Sequence, residues 1–184
     1  MSQSYATVSG TNMELTPMQV KFKPPGASTA VDLGGTLSGV TISIKYSKAE
    51  IHADQEGKTT VLDRRTTGIM IMVTTEIAEV QNKDLWKIIF PHAVEITTTT
   101  KAIDFVNSVG DSDLDNSGVL TLHPLSKGAS DTTTDFTFSK ACSSAESEII
   151  YGPDNQSKLK IVWNILPDLS VSPPKFGRYG DTAL

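Results

Sequence analysis

Val40-Thr41-Ile42-Ser43-Ile44-Lys45-Tyr46 and, after a polar turn, Gly68-Ile69-Met70-Ile71-Met72-Val73 are the core of a stretch running from Leu37 to Ile77. In the first run Val40, Ile42, Ile44 and Tyr46 fall on one face and Thr41, Ser43 and Lys45 on the other, the two-residue period of a half-buried strand. The connection Ile51-His52-Ala53-Asp54-Gln55-Glu56-Gly57-Lys58-Thr59 ends in polar residues and a glycine able to take positive φ, which predicts a reversal. Val61-Leu62-Asp63-Arg64-Arg65 leads into the second run, which is too short to span a bilayer and apolar on both faces. It reads as a central strand covered on both sides, so the stretch predicts a long antiparallel hairpin.

Working outward, 184 residues with 38% hydrophobic content can bury one real core, and a single domain is expected. The net charge of −5 argues against a protein that grips nucleic acid through its phosphates, because that footprint is basic. Met1 to Thr7 has neither a basic nor an apolar leader region, so a protein kept in the cytosol of its producer, without membrane insertion, is expected. Cys142 is the single cysteine, and its neighbours Ser143, Ser144, Glu146 and Glu148 supply no positive charge to favour a thiolate.

Before the hairpin, residues 1–30 carry Pro17, Pro24 and Pro25 among small polar residues, which predicts an extended arm. Met13, Leu15, Met18, Val20 and Phe22 are its apolar points of attachment. Asp32-Leu33-Gly34-Gly35-Thr36 then reads as a glycine turn into the first strand; no helix follows it, so a phosphate loop is disfavoured.

After the hairpin, Leu85, Ile88 and Ile89 at i, i+3 and i+4 predict a helix over about residues 82–90, with Asn82 as N-cap and Pro91 as terminator. An amphipathic helix following a sheet is expected to seal one end of it. Val94-Glu95-Ile96 and the threonine run Thr97 to Thr100 fit extended strand. Val119 to Pro124, Thr133 to Ser139, Glu146 to Tyr151 and Lys158 to Pro167 read as further strands, the last with Leu159, Ile161, Trp163 and Ile165 on one face. Many strands and one helix predict a mainly β fold: an antiparallel β-sandwich or barrel over residues 31–168 with one flanking helix, and an irregular extension from 169 to 184.

The chemistry-bearing residues are sparse. Asp111-Ser112-Asp113-Leu114-Asp115-Asn116-Ser117-Gly118 has aspartates at alternate positions, as in a calcium loop, but Asn116 stands at the turn-glycine position and Leu122 at the bidentate-glutamate position. A solvated acidic turn is the expectation. His52, His92 and His123 are far apart and lack partners at recurrent metal-ligand spacings, and no nucleophile elbow, H-E-x-x-H or Walker loop is present. No cofactor and no enzymatic activity is expected.

The order of these parts resembles the major tail tube protein of tailed bacteriophages. The likeness rests on the arm, the glycine turn before an alternating strand, the Asp54-Gln55-Glu56-Gly57 loop, the hairpin, the single helix and a closing strand ending in Leu166-Pro167-Asp168. It covers most of Asp32 to Asp168, with Phe176-Gly177 similar to that family's C-terminal end; Thr97 to Asp135 has no counterpart in the pattern.

The resemblance implies a virion protein, assembled in the host cytoplasm, whose hexameric rings stack into a hollow tail tube, with tape measure and tail-terminator or baseplate proteins as partners. It implies transient, non-gripping passage of double-stranded DNA, which an acidic subunit favours by repelling phosphate. Candidate lumen-facing residues are Glu50, Asp54, Glu56, Glu76 and Glu79, and candidate subunit contacts are Phe22, Trp86 and Phe90. The alternative is a capsid decoration or carbohydrate-binding β-sandwich module, which calls for an exposed aromatic platform.

Overall fold

The structure, a computed structural model, describes residues 16–56, 59–97, 101–107, 109–152 and 156–180. The expected attachment points Met13 and Leu15, the loop glycine Gly57 and most of the threonine run, 98–100, lie outside the described residues.

The chain forms β1 (Met18–Lys23), β2 (Val31–Asp32), β3 (Thr36–Ile51), β4 (Asp63–Ile77), α1 (Lys83–Ile89), β5 (Ala93–Thr97) and β6 (Lys101–Phe105). It continues with β7 (Gly118–Pro124), β8 (Phe136–Ile150), β9 (Lys158–Ile165) and β10 (Gly177–Tyr179). The main sheet is antiparallel in the order β2-β1-β7-β8-β9-β4-β3, with β10 added on β8; β5 and β6 form a separate hairpin.

This sheet curls over on itself. From β1 to β3 is five strand spacings, about 24 Å in a flat sheet. Yet the Thr36 hydroxyl donates to the Met18 carbonyl at 3.1 Å, and the rings of Phe22 on β1 and Trp163 on β9 lie 4.8 Å apart across the interior. The enclosed core contains Val20, Phe22, Val73, Ile77, Leu120, Leu122, Phe138, Leu159, Ile161, Trp163 and Ile165. Trp163 is fully buried and its indole N–H donates to Thr75 Oγ1 at 3.0 Å, so its polar atom enters the core with a partner. Over the described residues the chain therefore adopts a mainly β, sandwich-like fold with one α-helix.

Several expectations are corrected. The arm expected over residues 1–30 is a core strand where it is described between Met18 and Lys23: β1 pairs with β7 and buries Val20 and Phe22. The prolines only flank it, at positions where no ladder hydrogen bond is lost. The two strands expected at Thr133–Ser139 and Glu146–Tyr151 are one, β8, bent by a register shift between Cys142 and Glu146.

The C-terminal extension is not wholly irregular. β10 returns to pair with β8, Phe176 packs on the core, and a Cβ on Gly177 would lie 2.5 Å from the Thr137 carbonyl oxygen, which is why glycine stands there. The Gly34-Gly35 turn meets its expectation: Gly34 has φ +86° and donates its N–H to Asp32 Oδ1 at 3.0 Å.

The helix is shorter than expected by a residue at each end and seals the core with Leu85 and Ile89. Asn82 occupies the N-cap position, but its side chain donates to Glu79 Oε2 at 3.3 Å instead of capping the helix.

Candidate functional site

The β3–β4 hairpin carries the largest departure from the sequence reading. Val40, Ile42, Ile44 and Tyr46 do share a face, paired with Thr75, Val73, Ile71 and Ile69, and this is the face turned to the core. But β9 pairs with β4 only from Ile77 to Ile71, so beyond that point β4 has β3 as its sole neighbour among the described residues. Within Gly68–Val73 only Val73 is buried, and Ile69 and Met70, on opposite faces, are both exposed, so the segment is not covered on both sides. Ile44, Tyr46 and Ile69 continue the core stripe past the end of the core and are 52%, 59% and 42% exposed.

These side chains form one wall of a groove of about 340 Å³ whose other wall is Phe136, Phe138 and the returning segment from Lys175 to Tyr179. Phe136 and Tyr179 are in ring contact at 4.5 Å, with Tyr179 itself largely exposed. The groove is apolar, with Lys175 and Arg178 as its cationic residues.

A second apolar surface lies at the other end of the fold. Trp86, Phe90 and Phe105 form a ring cluster with centroids 5.6–5.9 Å apart, and the Trp86 indole donates to the Val80 carbonyl at 2.8 Å. Lys87 pairs with Glu95 at 3.2 Å, fixing the β5–β6 hairpin to the helix. By strand alternation the opposite face of that hairpin carries Val94 and Ile96, both exposed, with Asp104 directly across from Val94. Of the expected subunit contacts, Trp86 and Phe90 are partly exposed here, whereas Phe22 is buried against Trp163 and is a core residue.

The five acidic candidates do not come together. Glu50, Asp54 and Glu56 lie at the hairpin tip and Glu76 and Glu79 at its base, with about 40 Å of strand between Arg64, the partner of Glu50, and Glu76. Glu50 is paired with Arg64 at 3.0 Å. Glu76 is paired with Lys158 at 2.8 Å, and the ammonium beside it holds its carboxyl below the usual carboxylate range.

Titratable groups elsewhere act locally. His123 and Asp135 form a buried pair, Nδ1 to Oδ1 2.7 Å, which the sequence reading missed because they are twelve residues apart. The signal was the register: Leu122 opposes Phe136, so His123 falls opposite Asp135. Both side chains are buried, and the pair ties the β7–β8 connection together. His52 Nδ1 lies 3.0 Å from the Thr60 carbonyl, and His92 lies 3.5 Å from Asp111.

The acidic turn folds on itself, with the Ser117 hydroxyl donating to the Leu114 carbonyl at 2.7 Å. Among the described residues no three His, Cys, Asp or Glu side chains converge as a metal site. A cleft of about 690 Å³ beside this turn brings Lys23, Lys140, Asp115 and Asp168 together. Ser170 donates both its hydroxyl and its N–H to Asp168, which lowers that carboxyl's pKa and engages it locally. No protein-family model matches the chain, and no curated protein sequence matches it.

Proposed function

We propose that this chain is a self-assembling structural subunit of the tail tube kind, forming hexameric rings that stack into a hollow conduit for double-stranded DNA. The observation that carries the reading is the overhanging hairpin: Ile44, Tyr46 and Ile69 extend a core stripe into solvent, an apolar surface that assembly would bury. A two-stranded ribbon is marginal alone and gains a partner surface in a polymer. The order of hairpin, helix and closing strand supports the same assignment by resemblance.

Within this reading the lumen candidates separate. Glu50 and Glu76 are neutralised by Arg64 and Lys158, which leaves Asp54, Glu56 and Glu79 to supply repulsion of passing phosphate. The tape measure and tail-terminator or baseplate partners follow from the same proposal.

A capsid decoration or carbohydrate-binding module is the second reading, favoured by the placement of Tyr46 and Tyr179 on one groove, where both could stack on a sugar ring. Negative-stain electron microscopy beside sedimentation separates the two. Rings or hollow tubes are the expected result, and a discrete closed trimer would overturn the tube reading in favour of the module.

A further inference from the structure

The two apolar surfaces are different from one another and lie at different places along β4, the groove at its middle and the β5–β6 hairpin with its helix beyond its C-terminal end. Ile69 lines the groove, Ile77 sits at the strand's helix-side end, and the eight residue rises from one to the other span about 26 Å. Two surfaces so far apart do not meet within one chain. Joined between copies, such surfaces make a heterologous contact, and one that does not close produces an open-ended chain of subunits.

Their chemistry is complementary. The outer face of the β5–β6 hairpin offers Val94 and Ile96 with one carboxylate, Asp104, opposite Val94. Val106, which follows β6 and is half-exposed, lies on the same side by alternation. The groove offers an apolar floor of Ile44, Tyr46 and Ile69 with the cations Lys175 and Arg178 along its C-terminal wall. β5 and β6 form an isolated two-stranded sheet held to the body through α1, so its outer face has no layer over it among the described residues.

We infer that the outer face of the β5–β6 hairpin of one copy seats in the hairpin groove of the next, with Asp104 toward Lys175. This rests on the self-assembly reading above and assigns the surfaces that join. The apolar side chains supply the burial, and the charge pair sets orientation and excludes the reversed contact.

The test uses full-length chains carrying Ile69→Glu on the groove or Val94→Glu on the hairpin, both exposed positions, with folding checked by circular dichroism. Each variant alone is expected to sediment as a monomer while the wild-type chain forms longer assemblies. Mixed in equal amounts, they should yield a heterodimer and nothing larger, because one intact groove and one intact hairpin face remain. Asp104→Lys and Lys175→Glu should each weaken assembly, and together restore it.

A mixture that stays monomeric, a variant that assembles like wild type, or a wild-type chain still monomeric at about 1 mM would overturn the inference. The two proposals fail separately. Hollow tubes formed by the Ile69→Glu chain would leave the tube reading standing and remove this contact. Heterodimers from the mixture together with wild-type assemblies that are not hollow would do the reverse.

Discussion

Val73 and Ile77 sit on the same face of the same hairpin as Ile69 and Tyr46, yet the first two are fully buried and the second two open to solvent. The side chains are of one class and the alternation does not change between them. What changes is the number of strands beside them: β9 runs along β4 as far as Ile71 and stops. The base of the hairpin is thus part of a closed core, while its outer part is an unfinished one. Apolar patterning marks the face that a strand turns inward, and neighbouring strands determine whether anything is there to meet it.

The sharpest way to challenge this contrast is to remove apolar volume from each part. Trp163→Ala should cost about 3–5 kcal/mol, measured by urea unfolding, because it empties the centre of the core and leaves Thr75 Oγ1 without its partner. Ile77→Ala should cost about 2–5 kcal/mol by the same measurement. A loss below that range would mean that the base of the hairpin is less tightly enclosed than its burial implies.

Gly177→Ala probes the boundary, where β10 forms the groove's far wall. The added methyl meets the Thr137 carbonyl and the Phe138 ring, so we expect about 1–3 kcal/mol of destabilisation and faster amide exchange at residues 177–180. Ile69→Ala, on the overhanging part, should change monomer stability by no more than about 0.5 kcal/mol while weakening self-association. A large loss of stability there would erase the distinction between the two halves.

The smallest effect is electrostatic and belongs to the hairpin base. Lys158 depresses the folded-state pKa of Glu76 below its ordinary value of 4.5, so the pair stabilises the fold above that value and its contribution is lost as pH falls through the folded pKa. The stability gap between wild type and Glu76→Gln should be present at neutral pH and shrink below about pH 4.5. A gap unchanged in acid would show that the glutamine substitution acts through packing.

Much of this fold was legible. Leu159, Ile161, Trp163 and Ile165 are all buried on β9 as their alternation required, and Leu85 and Ile89 face inward on a helix that ends before Pro91. β1 was obscured because prolines at 17, 24 and 25 dominate a window in which only Met18, Val20 and Phe22 carry the strand period. β8 looked like two strands because Ser143 and its neighbours read as a break; the long strand absorbs them at an irregularity. The His123–Asp135 pair and the groove were hidden for another reason, since each joins residues far apart in sequence.

The amino-acid sequence alone determined that β3 and β9 are strands and which side of each is apolar, and that a helix lies within residues 82–90, because alternation and proline placement act within a few residues. Only the tertiary structure decided that Phe22 is core, that β10 returns to the sheet, and that the apolar face of the hairpin outruns its cover. Those outcomes depend on where β9 ends relative to β4 and on the curl that brings β1 to β3. Both are set by contacts between distant segments, which no local pattern encodes.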